Sequence, residues 1–384
     1  MKNYIIGIIV VVLVVLVGKN LWNRSDVPTE KAPIKIGASL AVSGSLASIG
    51  EEEKRGLEMG VAEVNANGGI DGRKLELIVE DNQGDAKVAV SSVQKLFNVD
   101  NVDVLVTAFT HITNAVKSLA IERGTPMIYV SSVPDMAKES RLFFKDYMDN
   151  RSNSNVLSER IVSLGFKEVK LLSEEGDSCK VSDDFFLNKE SKVKVVARES
   201  FVSGTTDFKT PLLKLRDVYK GAPLVVCAWR DEVRVMPQMK QLGMLSTQSY
   251  HQLAPFLAPA KTPEMYELFS EGKVVSSWYG FAENNKEKAS DAQKKFFADY
   301  ETKYGTKATS DAAYTYDDTK AIAIAVGTCL EKNNAFSVDC FLEEFGKTNI
   351  DGASGSLTFD SDRSSKRRSI LMEATKDGWK ELVQ

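Results

Sequence analysis

Histidine and cysteine are scarce in this chain, and an excess of positive charge is missing altogether. Its 384 residues include two histidines and four cysteines, and 49 basic against 53 acidic side chains leave a net charge of −4. The charge balance excludes the basic footprint that nucleic acid requires. The cysteines have no zinc-site spacing. No Gly-x-Ser-x-Gly elbow, HExxH pair, Walker sequence or dinucleotide fingerprint occurs, so the common hydrolase, metalloprotease, nucleotidase and dehydrogenase signatures are absent. No catalytic residue, cofactor or metal is therefore expected. Long apolar runs are also missing, with one exception at the amino terminus.

That exception is MKNYIIGIIVVVLVVLVGKNLWNR, a short basic start followed by an apolar run over residues 4–18. The run lies between the core of an export signal and the ~20 residues that span a bilayer. No small-x-small cleavage site follows it, and Lys19, Trp22 and Arg24 stand where one belongs, so a retained membrane anchor is expected rather than a cleaved leader. Residues 25–33 (SDVPTEKAP) then form a linker. The remainder, in a chain with 43% hydrophobic and 27% charged residues, has the composition of a soluble globular protein. Its length suits roughly two to three domains. Cys329 and Cys340 flank a polar connection; they would pair in an exported protein, or remain buried thiols almost as well. Cys179 and Cys227 are too far apart for their spacing to be informative.

Periodicity supplies the architecture. EEEKRGLEMGVAEVNANGG sets Leu57, Val61 and Val64 at helical spacing and stops at asparagine and glycine, residues that tolerate the left-handed backbone closing a helix. LELIVE is a weakly alternating apolar run of strand length, as expected of a strand covered on both faces, and the polar loop DNQGD ends it. A phosphate cradle needs the order strand, glycine loop, helix, the reverse of this one. Further strands are expected at 34–41, 102–109 and 126–132, each ending in small polar residues. A second run of helices and strands begins near Asn155 and continues through PLVVCAWRD and QSYHQL. Two similar α/β units follow more economically than one sheet.

The segments IKIGASLAVSGSLASIG and RGLEMGVAEVNANGGIDGRKLELIVEDNQGD, the helix AAYTYDDTKAIAIAV and the ending GASGSLTFDSDRSSKRRSILMEATKDGWKEL together resemble the type I periplasmic binding proteins. The resemblance is to the branched-chain amino acid (Leu/Ile/Val)-binding branch of ABC-transporter substrate-binding proteins, and it runs in order from about Ile34 to the carboxyl end. It implies an α/β fold of two doubly wound Rossmann-like lobes joined by three crossovers, with a ligand cleft between them. The first lobe is expected at 34–151 plus 281–352 and the second at 152–280 plus 353–384, after an amino-terminal segment 1–33.

The same resemblance implies a site. First-lobe loops after strands supply donors for a ligand carboxylate, here Ser43, Phe109, Thr110, His111, Ser131 and Ser132; local turn capping is the competing role for their hydroxyls. Trp229 matches a ligand-covering aromatic, with Arg230 beside it, and Tyr250 and His251 are expected near a strand end in the second lobe. His111 and His251 would thus face the cleft from opposite lobes, an arrangement that chance placement in polar loops explains better than a metal or a pH latch. The family's second-lobe loop often carries a glutamate for an α-ammonium. Here it reads SYHQLAP, without a carboxylate. Either Glu174, Glu175 or Asp231 replaces it, or the ligand is no standard α-amino acid, since a buried ammonium without an anion is costly.

The expected function is non-enzymatic: an extracytoplasmic solute-binding protein, monomeric, that captures a small amino acid or related carboxylate or amide and delivers it to an ABC transporter permease. Its contact with the membrane would be through the amino-terminal segment only. A membrane-anchored sensing domain working through a partner protein is the alternative. A repressor of related fold is excluded by the apolar leader and the absence of a basic helix-turn-helix segment.

Overall fold

The computed structural model describes residues 31–382 apart from 133–134, 148–149, 189, 220, 229–230, 246–247, 253–261, 280–288 and 368. The apolar run at residues 4–18 lies outside this range. Among the described residues no helix is long and apolar enough to cross a membrane.

The first sheet has strands β1 (Ile34–Leu40), β2 (Leu75–Asp81), β3 (Val104–Ala108), β4 (Met127–Val130) and β5 (Phe143–Lys145), all parallel in the order β2-β1-β3-β4-β5. Near-continuous apolar runs make such strands because both faces are covered. Val104, Val106 and Ile128 pack with Ile322 and Val326 of the helix Ser310–Asn333, while Leu105, Met127 and Tyr129 pack with Ile112 and Val116 of the helix Thr110–Arg123. The helix Ala47–Ala66 crosses Ser310–Asn333 so closely that a Cβ on Gly56 would lie 2.1 Å from the Ala312 carbonyl oxygen. The turn that follows is closed by Asn65, whose amide exchanges two hydrogen bonds of 2.8 Å with the backbone of Leu75.

The second sheet contains β6 (Glu168–Glu174), β7 (Lys194–Phe201), β8 (Leu224–Cys227), β9 (Ser249–Gln252) and β10 (Val275–Tyr279), parallel in the order β7-β6-β8-β9-β10. A short hairpin, β11 (Asn349–Gly352) and β12 (Gly355–Thr358), sends Leu357 into the first-lobe core. The chain then returns to extend the second sheet with two antiparallel strands, β13 (Ser369–Thr375) and β14 (Gly378–Leu382). This is the expected α/β architecture of two lobes joined by three passages of the chain.

Two of those passages run side by side. The Lys145 N–H donates to Arg363 O at 3.0 Å and the Ser365 N–H to Lys145 O at 2.8 Å. Arg367 donates twice to Asp146, at 2.8 and 2.5 Å, with its guanidinium 4.7 Å from the centre of the Tyr314 ring. Both ends of this ion pair are buried. Burial raises the Asp318 carboxyl well above its usual range, reinforced by the Asp146 charge. The Asp146–Arg367 pair thus ties one passage to the other.

All four cysteines are paired. Cys329–Cys340 joins the helix Ser310–Asn333 to the helix Val338–Gly346. Cys179–Cys227 ties the first turn of the helix Asp177–Leu187 to the end of β8.

Candidate functional site

The site is built from the first lobe outward. β3 ends at Ala108, and the chain enters the next helix through Phe109 at φ 64° and ψ 139°, a conformation that a bulky residue rarely adopts and that costs on the order of 1–3 kcal/mol. It persists because the Phe109 N–H bonds Val130 O at 3.0 Å and its carbonyl accepts from the Thr113 N–H at 2.9 Å. The kink turns the amino end of the helix Thr110–Arg123, which has no side-chain cap, toward the loop after β4. An uncapped helix amino end presents N–H groups and a positive dipole end to whatever binds there.

Thr110 and Ser131 meet across that loop, Oγ1 to Oγ, at 2.8 Å. Ser132 follows, and its Oγ lies 3.0 Å from Ser178 Oγ of the second lobe. Ser178 stands in the first turn of the helix Asp177–Leu187, whose N-cap, Gly176, also supplies no side-chain bond. Asn150, at the start of the helix Asn150–Ser163, donates its amide to the Ser178 carbonyl oxygen at 2.6 Å. Thr110, Ser131, Ser132, Ser178 and Asn150 therefore line one continuous polar seam between the lobes. Neither Asn150 nor Ser178 is marked in the sequence by any periodicity or motif. Only the folding of two helix starts against each other brings them here.

The other expected residues divide. Ser43 is exposed at the end of β1 and gives its hydroxyl to Asp81 at 2.5 Å. Burial would raise the Asp81 carboxyl, but that hydroxyl and the N–H groups of Gln83, Ser43 and Val42 hold it below its usual value. Ser43 thus caps a turn. His111 is exposed in the first turn of its helix, its Nε2 3.0 Å from Gly84 O. Trp229 and Arg230 lie outside the described residues.

Tyr250 and His251 lie near a strand end as expected, but both are fully buried, which corrects the expectation that they face the cleft. Both are interior residues of β9, on opposite faces of the sheet. Tyr250 packs with Leu157, Ile161 and Val275, and burial pushes its hydroxyl up to about 12. His251 lies against Phe269, with Nδ1 3.7 Å from the Glu232 carboxylate. Burial lowers the His251 imidazole to about 3 and raises the Glu232 carboxyl to about 8, so the two are neutral near pH 7. His111 and His251 consequently cannot meet across a cleft. Of the carboxylates considered for an ammonium, Asp231 is buried and already bound to Arg234 at 2.6 Å and to the Gly204 N–H at 3.3 Å. Glu175 accepts from the Ser200 hydroxyl at 2.8 Å.

Comparison with known proteins agrees with this architecture. The family model described as periplasmic binding protein matches residues 33–378. "Leu/Ile/Val-binding protein homolog 7" of Brucella abortus is 28% identical over 233 residues, 55% of this chain, and the match spans little more than half of that relative's own length, 56%. "Leu/Ile/Val-binding protein homolog 8" of the same organism is 27% identical over 323 residues, covering 76% of this chain and 75% of the relative. Among solved structures, the branched-chain amino acid transporter substrate-binding protein LivJ of Streptococcus pneumoniae, in complex with isoleucine, superposes with a TM-score of 0.77 at 24% identity, over 91% of this chain and 98% of the other. The leucine-binding protein LivK of Thermotoga maritima gives 0.76 at 20% identity, over 91% and 98%. The match through almost the whole described chain, in a fold of two α/β lobes, shows that the chain belongs to the periplasmic binding protein family.

Proposed function

We propose that this protein is an extracytoplasmic solute receptor that binds without catalysis. Its lobes close on a small amino acid, or a related carboxylate or amide, and the closed form is presented to an ABC transporter permease. The observation that carries this reading is the seam itself. Uncapped helix amino ends from both lobes and the hydroxyls of Thr110, Ser131 and Ser132 converge on one place, a donor set suited to a carboxylate. The names of the Brucella relatives and of the isoleucine-bound neighbour support an amino acid as the ligand class. The moving bodies in this reading are 34–151 plus 281–352 and 152–280 plus 353–384, with residues 353–358 travelling with the first. Closure is then a hinge motion about the passages braced by Asp146 and Arg367. The apolar run at residues 4–18 would export the chain and hold it at the membrane.

The test is a thermal-shift screen of the full chain in detergent against amino acids, small carboxylates and amides. A ligand at a hundred times its Kd stabilises the fold by about 2.7 kcal/mol. A hit that Thr110→Ala weakens supports the reading; a folded, monodisperse protein that no compound shifts contradicts it.

A further inference from the structure

The second lobe brings one turn of helix to the seam. The helix Asp177–Leu187 starts after Gly176 with no side-chain cap, and Ser178 in its first turn makes two contacts there. Its hydroxyl lies 3.0 Å from Ser132 of the first lobe, and its carbonyl oxygen accepts from the Asn150 amide at 2.6 Å. The next residue is Cys179, bonded to Cys227. Cys227 is the last residue of β8, level with Ser173 of β6 in the parallel register, so the bond reaches from this turn to the neighbouring strand end. Both cysteines are buried. The rest of the helix is held without sulfur. One turn after Cys179, Asp183 accepts from the Ser173 hydroxyl at 2.5 Å and from Arg198 at 2.9 and 2.7 Å, and Phe185 and Phe186 enter the core. Breaking the bond therefore leaves the helix docked from its second turn and releases the first, the turn that carries Ser178. Cys329–Cys340, by contrast, joins two first-lobe helices that carry no seam residue.

We infer that Cys179–Cys227 is a redox latch on the cleft: the seam forms while the bond is intact and opens when a dithiol reductant cleaves it. A thiolate of the reductant takes one protein sulfur into a mixed disulfide, its second thiol displaces that sulfur, and the reductant leaves as a disulfide. Two electrons and two protons pass to the protein, which gains two thiols. Oxidation by the disulfide of a thiol–disulfide exchange partner runs the same steps backwards. The consequence for ligand capture rests on the solute-receptor reading above. A chain made in a reducing compartment completes its cleft only after export to an oxidising one, so it takes up its solute on the far side of the membrane and not before.

The experiment uses the full chain in detergent, carrying Cys329→Ala and Cys340→Ala so that one bond remains, with and without dithiothreitol. Mass after thiol alkylation reports the state of that bond, and hydrogen exchange reports the helix. The amides of residues 180–182 close its first turn, beginning with the Lys180 N–H on Gly176 O at 2.9 Å. Reduction should speed their exchange at least about tenfold and leave β3 and β6 within about twofold. Cys179→Ser with Cys227→Ser should show the fast exchange without reductant. Unchanged exchange at 180–182 in fully reduced protein overturns the inference. Acceleration throughout β6, β8 and β9 also overturns it, since the bond is then a general support of the lobe. The thermal-shift panel of amino acids, carboxylates and amides is repeated on both redox states. A compound that shifts the oxidised protein should lose most of its shift on reduction; an equal shift in both states overturns the latch and leaves the receptor reading standing. If no compound shifts the oxidised protein, the receptor reading falls, and the exchange result alone decides the latch.

Discussion

The two lobes share a fold but are held together differently. In the first, sheet and helices meet through aliphatic side chains, and the helices Ala47–Ala66 and Ser310–Asn333 touch through Gly56 and Gly60 with no room for a Cβ. In the second, the helix Asn150–Ser163 meets the helix Asp177–Leu187 through Ser154 to Ser182 at 3.2 Å, and the segment after that helix through Ser158 to Ser191 at 2.9 Å. A disulfide fastens the cleft end of that lobe, and a neutral Glu232–His251 pair lies in its interior. The first lobe depends on steric fit. The second adds to its apolar cores polar contacts between helices and a disulfide near the seam, ties that respond to redox conditions and pH.

The disulfides offer the largest expected effect. Cys179–Cys227 closes a loop of 48 residues and Cys329–Cys340 one of 11. Loop-closure entropy therefore gives about 4 kcal/mol for the first and about 3 for the second. Replacing Cys179 and Cys227 with alanine should lower the chemical-denaturation midpoint more than the same change at Cys329 and Cys340, and should also weaken ligand binding, since it frees the loop bearing Ser178. Equal losses, or unchanged affinity, would remove the special role of the second-lobe bond.

Gly56→Ala comes next. Its Cβ would be driven into the Ala312 carbonyl and to 2.2 Å from Thr315 Oγ1, so two helices must separate, at a cost of about 3 kcal/mol. A melting temperature within a degree or two of wild type would show that the first lobe is more compliant than its packing indicates.

The smallest effect is on pH dependence. Unfolded, Glu232 ionises near 4.5, but in the fold only near 8; folding takes up a proton between those values, and stability falls as pH rises through them. His251 acts in the opposite sense. It titrates near 6.5 unfolded and near 3 folded, so its contribution is lost as pH drops through that window. Between pH 6.5 and 8 only Glu232 of the pair is active. Glu232→Gln should flatten the stability profile there, removing a wild-type decline of roughly 1–2 kcal/mol. An unchanged slope would mean that Glu232 is not the group that takes up this proton on folding.

Much of the frame is legible in the amino-acid order. The runs at 34–41, 102–109 and 126–132 become β1, β3 and β4, because a parallel strand buried on both faces needs a continuous apolar stretch and ends where small polar residues begin. The same rule placed Thr110, Ser131 and Ser132 correctly at strand ends. It placed a strand at QSYHQL but not the burial of Tyr250 and His251, whose side chains serve opposite cores. It also missed the true start of the helix Asn150–Ser163, whose first turns, NRSNS, carry no apolar stripe because Asn150 and Ser154 face another polar helix. Asn150 and Ser178 come from parts of the chain 28 positions apart, and no local pattern announces such a pairing.

The most direct test of the central claim, a cleft that closes on its ligand, is small-angle scattering from the full chain in contrast-matched detergent. It should be recorded with and without a compound that the thermal-shift screen identifies. The account predicts a smaller radius of gyration with the ligand bound, and no such contraction for a variant in which Thr110→Ala abolishes binding. A saturated protein whose scattering is unchanged would contradict it.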